Sequence, residues 1–421
     1  MLRKIIFLSL LSAMISSCEE KDIKSYTLGN LKSIKTISLD SSNFTEFEKI
    51  GEAIGNSRIV MLGEQDHGDG PTFLAKTKLV KYLHEKKGFN VLLFESDFFS
   101  LNQGWDHIQK NENEIIPFLS ENLFSIWTKC QQCDELLYSY IPKANAGKKS
   151  LVVSGFDSQI HGSYSKHNLK NFLDAYLKLK NINFIKDKRY TNDLLPFIDS
   201  VRTTKNAEKL MLLKKALKQI QSELPKEDST VFESVLIKSL KANVDSEISF
   251  LNKGNNFLDI RDKQMAENLR WLVNHKFSKE KIVVWAANLH IVRHPELIKD
   301  MPWKQNTMGN FLAADKSLAN QIYTLGFTSG VGIAGRITTK EKYTVKTPIA
   351  NSLESWIPEA IAYAFIDFKR YRKENPTAKP VFLMKGISHK ADSAIWTEIF
   401  DGLFYIRNMY PCAPGKKNEM L

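Results

Sequence analysis

The sequence predicts an α/β fold: a mostly parallel sheet covered by helices on both faces, with a helical insertion or cap. Three observations carry this expectation. Short apolar runs of strand length recur along the chain and alternate with stretches of helical spacing. The runs are nearly continuous, as from Val91 to Phe94 and from Ile282 to Trp285, which suits strands buried on both faces. The first unit, Ile59 to Glu95, reads strand, helix, strand over about 37 residues, as a right-handed parallel crossover requires.

A chain of 421 residues can bury a substantial core, and 43% hydrophobic with 25% charged residues excludes disordered and fibrous classes. The net charge is +12; Arg3 and Lys4 fall in a segment expected to be removed, which leaves +10 spread over a lysine-rich surface. There is no arginine stripe, zinc finger or aromatic-basic interleaving, so no nucleic-acid partner is expected. The oligomeric state is left open.

Met1 to Lys4 is basic, and Ile5 to Ile15 is apolar but short for a membrane span. Ile15-Ser16-Ser17-Cys18 follows and resembles a bacterial lipoprotein signal, in which the cysteine is lipidated and becomes the new amino terminus. The alternative is a plain secretory signal with an incidental cysteine. The resemblance implies a signal peptide over residues 1–17, a tether over 18–44 and a soluble domain over 45–421. It places the protein in the bacterial cell envelope, lipid-anchored at the outer membrane or in the periplasm.

Ile59 to Leu62 is the first strand, cut by Gly63 and followed at once by Glu64, Asp66 and His67. Thr72 to Lys87 has helical spacing and ends at Gly88. Asn90 to Glu95 is a strand that runs into a carboxylate. Phe124 to Tyr140 reads as one helix with Trp127, Cys130 and Leu137 on its apolar side. Its C-x-x-C pair, Cys130 and Cys133, is assigned a structural or incidental role, because no further zinc ligands lie nearby and no strand delivers the first cysteine to a helix start. Ser150 to Phe156 is a strand followed by Asp157. From about 165 to 255 the chain is lysine-rich and helical by period, the expected insertion. A helix from Ile260 to His275 presents Arg261 and Asp262 in its first turn. Lys281 to Ala287 is a strand followed by Asn288 and His290. Gln321 to Phe327, Ile361 to Ile366 and Pro380 to Met384 complete six or seven strands.

Open α/β sheets place their chemistry at the carboxyl ends of the strands. Glu64, His67, Glu95, Asp157 and His290 all follow strand ends. Two histidines among carboxylates suit general-base work on water, with a carboxylate fixing the imidazole tautomer. Arg261 or Lys76 would hold an anionic group or stabilise an oxyanion, and Asn288 is a further candidate substrate contact. His161, close to Asp157, is a weaker candidate. The same side chains are adequate metal ligands, so a metal-dependent hydrolase is the alternative within enzymes, although no H-E-x-x-H signature occurs. There is no G-x-S-x-G elbow and no nucleotide-binding glycine loop, and no cofactor is expected.

At these residues the chain resembles the erythromycin esterase family. The resemblance rests on Gly63-Glu64-Gln65-Asp66-His67, Phe94-Glu95 and Gly155-Phe156-Asp157. It continues through the helix start from Arg261-Asp262 to Asn268, the strand end from Trp285 through Asn288 to His290, Met308-Gly309 and Leu325-Gly326-Phe327. It implies a hydrolase without a serine nucleophile, acting on an ester or lactone. In that reading His67 activates water, Glu64 and Glu95 support it, and His290 binds or polarises the ester. The wider superfamily includes haem-binding proteins, so a ligand-binding or haem-binding envelope protein is the alternative from another class. The chain departs from the resistance enzymes at Ala287, where they carry a histidine, at Lys76, where they carry an arginine, and at Gly70-Pro71. A small-molecule ester, lactone or amide other than a macrolide is therefore the expected substrate.

Overall fold

The computed structural model describes residues 22–40, 43–299, 301 and 306–415. Cys18 and the expected signal peptide lie outside the described residues. The strands in chain order are β1 (Lys32–Ile34), β2 (Ile59–Leu62), β3 (Phe89–Asp97), β4 (Val152–Asp157), β5 (Lys281–Trp285), β6 (Ile322–Ala334), β7 (Tyr343–Val345), β8 (Tyr363–Asp367), β9 (Phe382–Met384), β10 (Asp392–Ala394) and β11 (Gly402–Met409). The large sheet runs β1-β8-β11-β6-β2-β5-β3-β4, with β7 hydrogen-bonded to β6, while β9 and β10 form a small separate ribbon. From β11 to β4 every neighbouring pair is parallel; β8 and β1 add an antiparallel edge.

The strands read as continuous apolar runs because both faces are covered. Along β2, Ile59 and Met61 enter one core, with Phe156, Leu236 and Met265, while Val60 and Leu62 enter the other, with Phe73, Leu79 and Trp285. Helix α1 (Gly70–Lys87) packs on the second face. The expected insertion is present as α2 (Ser163–Leu179), α3 (Ala207–Glu223) and α4 (Phe232–Leu251), and it leads into α5 (Phe257–Trp271). No strand interrupts the chain between β4 and β5.

Register explains why the strand ends meet. Leu62 lies opposite Trp285, Trp285 opposite Phe94, and Phe94 opposite Gly155, so one row crosses β2, β5, β3 and β4. Glu64, Glu95, Asp157 and Asn288 all follow that row within three residues of their strand.

Four departures from expectation have physical causes. Residues 23–34, expected in the tether, fold as a helix (Ile23–Asn30) and as β1. Tyr26 is fully buried there, donates its hydroxyl to the Asp367 carbonyl and meets the Tyr371 ring edge-on. The stretch from Phe124 to Tyr140 is broken rather than one helix: Cys130 is extended, pairs with Pro414 and is disulfide-bonded to Cys412, not to Cys133. β6 continues past Phe327 through a glycine-rich segment because β11 lies too close for side chains. A Cβ on Gly332 would stand 2.0 Å from the Met409 carbonyl oxygen, and its φ of 131° is itself a glycine conformation. Finally, β11 is central to the sheet although no strand was expected there, whereas the Pro380 to Met384 run contributes only β9, outside the sheet.

Candidate active site

β2 ends at Leu62, and Gly63 then lies against Asn288 and Ile291, which follow β5. A Cβ at Gly63 would fall 1.9 Å from Asn288 Oδ1, so the G-E start of the loop is a packing requirement. Glu64 is then fully buried and divides its two oxygens. His67 Nδ1–H donates to Oε1 at 2.7 Å, and Lys76 Nζ donates to Oε2 at 2.5 Å. The Lys76 ammonium, also fully buried, lies 4.2 Å over the Trp285 ring and donates to the Ala286 carbonyl at 3.3 Å. Burial pushes Lys76 below its usual range, against the pull of Glu64. Lys76 thus sits behind Glu64, braces it, and does not line an opening as an anion holder would. With Nδ1 committed to Glu64, His67 presents Nε2, which has no hydrogen bond among the described residues, on a side chain that keeps 15% of its surface exposed. Trp127 stands edge-on to the imidazole at 6.0 Å.

The second half of the site is an ion network. Arg261, from the second turn of α5, reaches Asp157 with Nε at 3.1 Å and Nη2 at 2.7 Å, and reaches Glu95 Oε1 with Nη2 at 2.8 Å. The backbone N–H of Ala287 donates to the other Glu95 oxygen at 3.0 Å. His290 Nδ1 meets both Asp262 oxygens, at 2.8 and 3.0 Å, and Nε2 meets Glu95 at 3.1 Å. Burial alone would lower the His290 pKa, but Asp262 and Glu95 outweigh it and raise it to about 10. The two carboxylates thus favour the charged ring, whose Nδ1–H donates to Asp262, while Nε2 lies 3.1 Å from both Glu95 Oε1 and the Arg261 Nη1 donor. Burial raises Glu95, yet His290 and Arg261 hold it well below the usual carboxylate range. The two histidines therefore sit in different environments: His67 keeps Nε2 without a hydrogen bond among the described residues on a partly exposed side chain, whereas His290 is buried between Asp262 and Glu95.

Asn288 is spent on the scaffold. Its amide donates to the Phe327 and Gly386 carbonyls and accepts from the Phe327 N–H, and its own N–H meets the Glu64 carbonyl at 2.7 Å. Several residues that hold the loop were not legible beforehand. Asp66 accepts from Arg336 at 2.8 Å and from the Tyr343 hydroxyl at 2.7 Å. Asp69 accepts from His389 Nε2 at 2.9 Å, and His389 Nδ1 faces Ser329 Oγ at 2.8 Å. That chain has the composition of a hydrolytic triad, but Ser329 is completely buried and no substrate could reach it. The segment after β11 then crosses the loop: Gly70 donates to the Tyr410 carbonyl and Cys412 to the Gly68 carbonyl. No group of three or more histidine, cysteine or carboxylate side chains among the described residues is arranged to hold a metal ion.

An imidazole oriented by a buried carboxylate, at the carboxyl edge of a parallel sheet and beside a buried arginine network, defines an α/β protein equipped for acid–base chemistry. The chain belongs to the erythromycin esterase family, whose pattern matches residues 84–408, a span that holds Glu95, Asp157, Arg261 and His290. Membership places it in a hydrolase superfamily. It is 24% identical over 416 residues to a putative hydrolase of Bacillus subtilis, covering 89% of each chain. It is also 24% identical over 401 residues to the type II erythromycin esterase of Escherichia coli, covering 86% of this chain and 92% of the other. Both of those alignments are long enough to approach the whole domain. Among solved structures, a succinoglycan biosynthesis protein shares the fold with a TM-score of 0.72 at 20% identity, over 94% of this chain and 98% of that one. An erythromycin esterase variant in its open conformation shares it with a TM-score of 0.66 at 17% identity, over 91% and 99%.

Proposed function

We propose that the protein hydrolyses a carboxylic ester or lactone with water activated by His67. One observation carries this reading: His67 Nδ1 is held by the buried Glu64 while Nε2 is free on the partly exposed side. Nε2 takes a proton from water, the hydroxide adds to the carbonyl carbon, and the imidazolium returns the proton to the departing alkoxide. Glu64 stabilises the imidazolium in between. Arg261, whose side chain retains 12% exposure, presents a fixed positive edge to the oxyanion, and Glu95 with Asp157 keeps the guanidinium in place. No serine or cysteine nucleophile is needed.

The protein is further proposed to be a lipid-anchored envelope protein, acylated at Cys18. The lipoprotein-like presequence supports this, and so does the Cys130–Cys412 disulfide, which fits an oxidising compartment. No helix among the described residues is long and apolar enough to cross a membrane.

The test is hydrolysis of a panel of simple esters, lactones and macrolides by the purified protein and by His67→Ala, with folding of both followed by circular dichroism. Turnover should fall by about 10²- to 10⁴-fold in the folded variant and survive exhaustive chelation in the wild type. Undiminished turnover in His67→Ala, or loss on chelation reversed by one metal, would refute the mechanism.

A further inference from the structure

A cavity opens beside the ion network. Asp157 ends β4 against Arg261, and three residues later the chain forms one wall of a cavity of about 500 Å³, lined by Ile160, His161, Lys166, Asp199, Ser200 and Arg202. The far wall belongs to the helical insertion. The connecting segment is fixed: Gln159 N–H donates to Asp157 at 3.1 Å, and the N–H groups of His161 and Gly162 donate to Asp97 Oδ2, both at 2.9 Å. Aromatic rings link the cavity to the base, since Trp127 neighbours both His67 and Phe124, and Phe124 stacks on His161 with centroids 3.7 Å apart.

The polar groups of this cavity are mostly donors. His161 Nε2 faces the Ser96 hydroxyl at 2.9 Å and the Asp97 backbone N–H at 3.4 Å. A backbone N–H can only donate, so Nε2 accepts and the ring proton is on Nδ1. Burial agrees: against Asp97 and Asp157 it lowers the His161 pKa to about 4, so the ring is neutral near pH 7. Its Nδ1–H makes no hydrogen bond among the described residues. Arg202 lies 5.4 Å over the face of Phe124, which orders the guanidinium. Neither Arg202 nor Lys166 forms an ion pair among the described residues, and Asp199 is the one carboxylate in the lining. Glu247 is close enough to Arg202 to be stabilised by it but does not pair with it.

We infer that this cavity is a substrate subsite for an anionic oxygen group, carboxylate or phosphate, carried on one arm of the ester and received by Arg202, Lys166 and the His161 Nδ1–H. The inference deepens the hydrolase reading and rests on it for the word substrate. It makes the preferred substrate an acidic ester or lactone.

Two measurements test it, using wild type and Arg202→Ala/Lys166→Ala, both on the rim and free to change without disturbing the core. The first is kcat/KM for matched esters of equal length whose distal end is carboxylate, phosphate or methyl. Wild type should prefer an anionic arm by about tenfold or more, as loss of one charge-assisted contact implies, and the double variant should lose that preference through KM. Equal rates for charged and uncharged arms in wild type would overturn the inference while leaving the hydrolase reading intact. The second is calorimetric titration of glutarate and of phenyl phosphate, which separates carboxylate from phosphate. Binding weakened about tenfold in the double variant is expected; no binding to wild type, or equal binding to both proteins, overturns the subsite. Anion binding that depends on these two residues, with no ester hydrolysed, would keep the subsite and sink the hydrolase reading.

Discussion

The buried pair Glu64 and Lys76 permits a test that separates folding from chemistry. In Glu64→Gln the amide oxygen can still accept from His67 Nδ1–H, but the amide NH₂ then faces the Lys76 ammonium, which the wild-type structure holds at 2.5 Å from a carboxylate oxygen with both side chains fully buried. Removing one member of such a pair strands the other and costs about 3–5 kcal/mol. If the amide turns over to avoid Lys76, its NH₂ meets Nδ1 and forces the proton onto Nε2, which disables the base. Glu64→Gln should therefore lose stability and turnover together, an ambiguous result alone. Glu64→Gln/Lys76→Met removes the stranded ammonium and fills its place over Trp285 with a thioether. Stability, read from the guanidinium midpoint, should return to within about 1–2 kcal/mol of wild type. Turnover should not return, because the carboxylate that stabilises the imidazolium is still missing; a loss of about 10²- to 10⁴-fold in kcat/KM is expected. Wild-type turnover in the refolded double variant would refute the argument that the Glu64 charge serves His67.

The remaining expectations concern stability and location. His290 is raised to about 10 from an ordinary 6.5, so its contribution is complete below pH 6.5 and is lost as pH rises through about 10; Glu95 is depressed below its ordinary 4.5, so its contribution is complete above 4.5 and is lost on acidification. Denaturant unfolding across pH should show greatest stability between about 4.5 and 6.5, and Asp262→Asn should bring the alkaline loss to lower pH. The Cys130–Cys412 bond joins residues 282 apart, for which loop entropy sets an upper contribution of about 5.6 kcal/mol; Cys130→Ser/Cys412→Ser should melt measurably earlier than the oxidised protein, and identical melting would contradict this. Cys18→Ala should move the protein from the membrane fraction to the soluble fraction, whereas unchanged retention would remove the lipoprotein reading.

The parts of the fold that local pattern specifies were legible. β2, β3, β4 and β5 are short apolar runs bounded by turn residues, and each leaves a carboxylate or histidine just past its end, so the composition of the site could be read off strand by strand. The insertion was equally plain, because lysine-rich helical periodicity without a strand-like run has few other meanings. What escaped was long-range. The segment from Phe124 to Tyr140 has helical spacing, and nothing local shows that Cys130 pairs with a residue 282 positions away. β6 continues through glycines that look like a loop until β11 is beside them. Lys76 reads as an available cation, and only burial behind Glu64 changes its role. Asn288, likewise, has its amide spent on three backbone partners.

Long-range contacts also hold the irregular loop that carries His67. From Glu64 to Asp69 there is no helix or strand, so local structure cannot fix His67. The loop is fixed by remote segments instead: Asp66 by Arg336 and Tyr343, Asp69 by His389, and Gly68 with Gly70 by the strap after β11. The disulfide then secures that strap to Cys130, three residues from Trp127, whose ring borders the imidazole. Orientation of His67 is thus supplied by the last quarter of the chain, although the residue itself lies near its start. Positioning by packed, buried partners is what holds a reacting group within the small tolerance catalysis needs. It also accounts for the buried Ser329–His389–Asp69 chain without giving it a chemical role: its serine is sealed, and its carboxylate anchors the loop that carries His67.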